Sequence, residues 1–384
     1  MPNTSDIPKT FCPAKWDELI LNYQHNYVYS CCKATPLVFE QSYMDIITQQ
    51  RQNLLNGVQD QSCNYCWAVE NNNKPSLRND YLKKFNREEF PMYLNLNKPA
   101  KSVEINLGNT CNMQCIYCNP KFSSQWEDDV RLKKYPVFTD RFNYTIVSKK
   151  DMQDTMVCNQ ELLKEQNPAS VVMIGGEPLL NKNFWTISNS LKNTKLSVTS
   201  NLNCNLDTIK KLIDLEVNNN LDLNLTVSID CTFPLVTFIR HGLDYNKFLE
   251  NLYYFIANSK NSKVIITSLM TAITVLDIKN FTIFLESLQE KFPIKNLINQ
   301  FNVCTSPKIQ SFSTIPDITR QEILHNIKSY DGKIKLQGID SVISYLESTE
   351  FDLGLHKQLK LFINEWEARK KVTLNKHFKE QLCL

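Results

Sequence analysis

Three cysteines fall close together in the stretch NTCNMQCIYCNP, residues 109–120: Cys111, Cys115 and Cys118, spaced C-x3-C-x2-C. In a reducing compartment, clustered thiols are metal ligands or catalytic groups more often than disulfide partners. A structural zinc site takes a fourth ligand at similarly short range, usually from a second C-x2-C pair. No Cys or His lies nearby to complete such a set; Cys158 stands well downstream, before a helical stretch. Three thiolates can instead hold three corners of a four-iron cluster and leave one iron open to coordinate a substrate.

A second group of thiols precedes this loop. FCPAKW (11–16), YSCCKA (29–34) and SCNYCWAVE (62–70) supply Cys12, Cys31, Cys32, Cys63 and Cys66. Four ligands suffice for a fully ligated 4Fe–4S cluster or for zinc, and C-x2-C occurs in both, so spacing leaves the metal open. Cys31 and Cys32 are adjacent, and neighbouring residues of an extended segment point to opposite faces, so one of the two is expected to face the metal.

These residues need a scaffold, and its pattern changes near residue 100. Residues 1–97 are mixed, with strand-like alternation at Tyr27–Ser30 and a helical period over Tyr43–Leu55. From residue 101, β-rich apolar runs alternate with amphipathic stretches. The runs are SVEINLG (102–108), SVVMIGG (170–176), KLSVTSN (195–201), LNLTVSID (223–230), KVIITSLM (263–270) and NLINQFNV (296–303). Helices are expected over Asn159–Glu165, Leu206–Leu215, Tyr245–Asn258 and Ile278–Lys291. After Pro307 the chain reads as helical, including Thr319–Ser329 and His356–Lys370. Near-continuous apolar strands separated by helices imply a parallel sheet covered on both faces. Six such units fit an open barrel or a doubly wound sheet. In either, chemistry collects beyond the C-terminal ends of the strands. The cysteine loop, GGEP (Gly175, Gly176, Glu177, Pro178), Ser200-Asn201 and Ser228-x-Asp230 each follow or end a strand in this way.

Composition sets the outer bounds. The chain has 384 residues, 42% hydrophobic and 22% charged, enough to bury a core without disulfides. A net charge of +3 argues for neither a nucleic-acid nor a membrane partner. The N-terminus lacks a signal-peptide pattern and no run reaches the ~18 apolar residues of a membrane helix, so a cytoplasmic protein is expected. Only 8 glycines occur, and three of them are Gly108, Gly175 and Gly176, in the two stretches singled out as chemical.

The C-x3-C-x2-C loop after the first run, Tyr117 just before its third cysteine, and GGEP ending the next run together resemble the radical S-adenosylmethionine (radical SAM) superfamily. SIDCTFPLVTFIRHG is similar to the S-x-D-G…I-R stretch of that superfamily, with Cys231 where glycine is usual. The N-terminal cysteines and SLRND (76–80) resemble the auxiliary-cluster modules called SPASM and twitch domains, here placed before the barrel. The resemblance implies an α/β fold: a partial (β/α)6 TIM-like barrel over residues 98–305, a small cysteine-rich metal-cluster domain over 1–97, and a C-terminal helical extension over 306–384. It implies a 4Fe–4S cluster on Cys111, Cys115 and Cys118, with SAM on the open iron, and a second 4Fe–4S cluster on ligands from Cys12, Cys31, Cys32, Cys63 and Cys66. Gly175 and Gly176 would let the backbone approach the methionine moiety, Glu177 would meet its amino group, and Pro178 would complete that turn. Tyr117 would pack beside adenine, and Ser200, Asn201, Ser228 and Asp230 would bond the ribose and the methionine end. Arg240 would neutralise the SAM carboxylate. Reductive cleavage of SAM would give a 5′-deoxyadenosyl radical that abstracts a substrate hydrogen. Cys231, ahead of Cys204 and Cys304, is a candidate hydrogen-atom donor, against the plainer reading of a buried packing residue. An electron donor such as a flavodoxin or ferredoxin, and a peptide, protein or small-molecule substrate, are the implied partners; a nucleotide or sugar substrate is an alternative. A reading from another class makes the chain a non-catalytic zinc-binding interaction protein.

Overall fold

The structure is a computed structural model that describes residues 7–39, 42–127, 129, 162–260, 262–293 and 297–384. Eleven strands are found among them: β1 (Glu18–Asn22), β2 (Tyr27–Tyr29), β3 (Leu37–Val38), β4 (Ser102–Asn106), β5 (Gln114–Cys115), β6 (Ser170–Ile174), β7 (Lys195–Ser200), β8 (Asp222–Ser228), β9 (Arg240–His241), β10 (Lys263–Met270) and β11 (Leu297–Val303). All six apolar runs form strands. The chain divides into two compact units. The first comprises Met1–Gly108, Thr145–Gly175 and Asn183–Ser197, the second Asn109–Tyr144, Gly176–Lys182 and Val198–Leu384.

In the first unit the strand order is β6-β4-β1-β2-β3. β4 pairs in parallel with both β6 and β1, while β1–β2 and β2–β3 are antiparallel. The N-terminal segment therefore adds its own strands beside β4, beyond the separate cysteine-rich module expected over residues 1–97. Alternation explains the packing: Leu19 and Leu21 of β1, Val103 and Ile105 of β4, and Val171 and Met173 of β6 are all buried. A cluster of Phe11, Trp16, Leu54, Trp67, Phe90 and Tyr93 forms a further core against the helix Tyr43–Leu55. Arg51 of that helix locks it by donating to the carbonyls of Lys15, Leu96 and Lys98.

In the second unit β8 and β10 pair in parallel, as do β10 and β11. Leu223, Leu225 and Val227 of β8 are fully buried. The helices Leu206–Asn218, Tyr245–Asn258 and Ile278–Lys291 follow strands as the apolar period predicts. The α/β class with largely parallel pairing is thus present in both units. The C-terminal helices span Asp317–Lys328, Ile339–Ser348, Leu353–Lys370 and Lys376–Gln381. Cys158 and the start of the helix expected over Asn159–Glu165 lie outside the described residues; residues 162–166 are helical. No helix among the described residues is long and apolar enough to cross a membrane.

Candidate cluster sites

The cysteine loop is held by its backbone and by its neighbours in the second unit. β5 pairs antiparallel with β9, which sets Cys115 opposite Arg240. The Cys118 amide donates to the Cys115 carbonyl at 2.9 Å, closing a tight turn between the last two cysteines. Ser123 Oγ donates to the Met113 carbonyl at 2.6 Å, and Trp126 Nε1 to the Cys115 carbonyl at 3.1 Å. Trp126 in turn stacks on Trp366 of the helix Leu353–Lys370 at a centroid distance of 5.5 Å. The C-terminal extension is therefore a buttress for the cysteine loop, a role its sequence does not announce.

All three loop thiols are half-buried. Burial pushes Cys115 up to about 12 and raises Cys111 and Cys118 above the ordinary thiol range. Without a metal these groups carry protons at neutral pH, so loading a cluster must displace them. Two N–H groups face their sulfurs: Asn201 Nδ2 lies 3.9 Å from Cys111 Sγ, and Arg240 Nη1 lies 3.9 Å from Cys115 Sγ. Donors of this kind stabilise thiolate charge and tune a bound cluster.

GGEP packs against the cysteine loop. A Cβ on Gly176 would sit 2.5 Å from the Thr110 carbonyl oxygen and 2.6 Å from that of Asn109. In the first unit, a Cβ on Gly175 would lie 2.8 Å from the Gly108 carbonyl oxygen. Glycine is required because the backbone leading into and through the cysteine loop passes here. Glu177 is buried, and its carboxylate accepts from the Asn201 amide (2.6 Å), Ser200 Oγ (2.9 Å) and the Leu179 amide (3.1 Å). Its amide donates to the Thr110 carbonyl at 2.7 Å. Glu177 thus ties three chain segments together. The buried Pro178 begins the short helical turn that follows.

Asp230 and Arg240 form a buried bidentate pair, Nε to Oδ2 at 2.8 Å and Nη2 to Oδ1 at 3.1 Å. Tyr117 Oη donates to Asp230 Oδ2 at 2.7 Å, and the Leu269 amide to Oδ1 at 2.9 Å. Burial opposes the Arg240 charge, but the Asp230 carboxylate beside it holds its pKa well above the ordinary value. Tyr117, expected beside adenine, has its hydroxyl drawn into this network, and Arg240, expected on a ligand carboxylate, has an internal one. Ser228 is half-buried at the end of β8. Cys231 is fully buried beside Asp230, and burial raises its thiol well above the ordinary range; Cys204 and Cys304 are also buried.

In the first unit, Cys12, Cys31, Cys63 and Cys66 line one small cavity with Lys15, Arg78 and Tyr81. Burial pushes both Cys12 and Cys31 up to about 12. Cys32 is exposed and does not line this cavity; its sulfur lies with Cys31 and Glu18. The structure thus separates two adjacent thiols that the sequence left equivalent. The sequence reading missed Lys15, because nothing in FCPAKW distinguishes a buried lysine from an ordinary surface one. Arg78 lies within SLRND and pairs with Glu70, Nη2 to Oε2 at 2.6 Å.

Glu177 carries a pH prediction. Burial raises its carboxyl to about 7 against the donors that favour ionisation. Between pH 4.5 and 7 the unfolded chain has lost this proton while the folded chain keeps it. Stability therefore falls as pH rises through that window and levels off above it. Glu177→Gln removes the titration, so the metal-free wild type should lose about 3 kcal/mol more than the variant between pH 4.5 and 8. Denaturant unfolding at the two pH values measures the difference, and parallel losses would assign the site a normal carboxyl.

No protein-family model matches the sequence, and no curated protein matches it. Solved structures that it resembles include anSMEcpe with bound AdoMet, at 14% identity over 64% of this chain and 66% of that one, with a TM-score of 0.39. The match thus spans just under two thirds of that protein's length. Another is Streptococcus suis SuiB bound to precursor peptide SuiA, at 14% identity over 94% of this chain and 71% of that one, TM-score 0.37. At these scores neither likeness carries the assignment, which rests on the residues of the two sites.

Proposed function

We propose that the chain is a radical SAM enzyme with two 4Fe–4S clusters, one on Cys111, Cys115 and Cys118 and one on Cys12, Cys31, Cys63 and Cys66. The observation that carries this reading is the second unit's three-cysteine loop, where N–H donors of Asn201 and Arg240 face the sulfurs of Cys111 and Cys115. The loop offers three thiols with no Cys or His nearby in sequence as a fourth ligand, which favours a cluster with one open iron over a four-ligand zinc site.

A cluster with one open iron, loaded with SAM, supplies one-electron cleavage to a 5′-deoxyadenosyl radical. The chain's own residues hold and shape that site. Asn201 and Arg240 donate toward thiolate sulfur. Glu177 fixes the GGEP turn to Ser200-Asn201, and Asp230 orients Arg240. Glu177 and Arg240 are accordingly positioning residues in this reading, with their charges satisfied inside the protein. Ser200, Asn201, Ser228 and Pro178 line the strand ends where SAM is expected. Cys231, enclosed on all sides, serves packing. The N-terminal cysteine module, by its resemblance to auxiliary-cluster modules, favours a peptide or protein as substrate and a flavodoxin or ferredoxin as electron source.

Anaerobic reconstitution tests the reading. The protein should bind about eight irons, as two 4Fe–4S clusters require. With SAM and a strong one-electron reductant it should release 5′-deoxyadenosine. A colourless protein that binds zinc and leaves SAM intact would make it an interaction protein instead.

A further inference from the structure

Lys15 is the least expected residue in the N-terminal cavity. It is 1% exposed, in a short helix Ala14–Asp17 between Cys12 and the buried Trp16. Lysine is almost never fully buried unless paired. Its Nζ makes no ion pair among the salt bridges of the described residues; it donates to Ser62 Oγ at 2.6 Å, and Ser62 Oγ donates to Asp60 Oδ1 at 2.5 Å. Asp60 is also engaged by the Ser62 amide at 2.9 Å and by Asn53 Nδ2 at 2.8 Å. The ammonium is therefore anchored through a hydroxyl, one group removed from the carboxylate.

Two other cations line the cavity, and both are differently placed. Lys33 is exposed to solvent, with its Nζ 4.8 Å from the centroid of the Tyr65 ring. Arg78 holds Glu70 with two contacts, at 3.0 and 2.6 Å, and gives its remaining hydrogen bonds to the carbonyls of Lys9 and Phe11. Its charge is neutralised at contact distance. Lys15 thus supplies the one buried positive charge without a carboxylate at contact distance among the cations that line this cavity with the four thiols. The surrounding core is aromatic, with Phe11, Trp16, Trp67, Phe90 and Tyr93 buried. In such a low-dielectric setting a single charge acts strongly on its neighbours. Four thiolates on a cluster leave it net negative, and a nearby cation favours the form carrying one more electron.

We propose that Lys15, anchored by Ser62 and Asp60, raises the reduction potential of the centre held by Cys12, Cys31, Cys63 and Cys66, and so sets it as an electron acceptor. This rests on the two-cluster reading above. The electron in the test comes from a chemical reductant in a mediated titration, and the change read is one electron per cluster.

The test uses the full chain bearing Cys111→Ala, Cys115→Ala and Cys118→Ala, so that the N-terminal cluster alone is observed. Iron content is measured first, and then the midpoint is read by electron paramagnetic resonance. Lys15→Met should lower the midpoint by at least tenfold in the reduced-to-oxidised ratio, ~59 mV for a one-electron couple. Lys15→Arg, which keeps the charge, should stay within threefold of the parent. Asp60→Asn should move the midpoint the opposite way, since it removes a negative charge; it also serves where Lys15→Met fails to load. Opposite signs for the two variants are an electrostatic signature that a structural role would not give. A loaded Lys15→Met protein with an unchanged midpoint, or an unshifted Asp60→Asn protein, overturns the assignment of Lys15. A parent that binds no iron overturns the two-cluster reading itself, and Lys15 with it.

Discussion

Replacing Cys111, Cys115 and Cys118 together by alanine should abolish 5′-deoxyadenosine formation and lower bound iron from about eight to about four. The two numbers test different parts of the proposal. Loss of product shows that this loop holds the iron that engages SAM, because a fully ligated cluster leaves no iron open. Retention of about four irons shows that the N-terminal thiols form an independent site. The physical case for independence is that the two thiol sets belong to different compact units and each is held by its own contacts. The loop depends on β5–β9 pairing and Trp126, whereas the N-terminal cavity depends on the aromatic core around Phe11 and Trp16. Product formed by the triple variant at the wild-type level would remove the loop from the chemistry. A variant with no iron would place all the iron on the loop.

The second large effect is expected at Asp230. Its carboxylate receives two contacts from Arg240, one from Tyr117 and one from the Leu269 amide, all in a buried setting. Asp230→Ala would strand a buried guanidinium charge without its partner. Breaking a buried pair from one side costs about 3–5 kcal/mol, far more than an exposed pair is worth. The double variant Asp230→Ala, Arg240→Met removes both charges and should recover more than half of that loss. Denaturant unfolding of the metal-free proteins measures both. An Asp230→Ala loss under about 1 kcal/mol would mean that water reaches the guanidinium, contrary to its burial. The same pair has a functional readout. Arg240 reaches toward Cys115 from its anchor on Asp230, so freeing it should alter the paramagnetic resonance signal of the loop cluster as well as stability.

Much of this molecule was legible in its residues because its signals are local and periodic. Alternating apolar runs declared the six strands, and the 3.6-residue period declared Tyr43–Leu55, Tyr245–Asn258 and Ile278–Lys291, which form over those same residues. Cysteine spacing marked both thiol groups, since a loop ligand set must be close in sequence to wrap a cluster. The scarcity of glycine pointed to Gly175 and Gly176, and the fold brings the backbone of Gly108–Thr110 close against both.

What only the tertiary structure decided concerns partners far apart in sequence. Charge type could not show which partners Glu177 and Arg240 have inside the protein; the long-range hydrogen bonds to Asn201 and Asp230 exist only in the fold. Cys31 and Cys32 are equivalent in composition and differ in the face they present, which depends on how residues 29–34 pack against Cys12, Cys63 and Cys66. Lys15 was invisible because lysine is ordinarily a surface residue, and its burial becomes intelligible only once Ser62 and Asp60 are brought to its ammonium. Residue type and spacing determine which chemistry is available; the direction in which each charge points is a property of contacts that the chain makes only when folded.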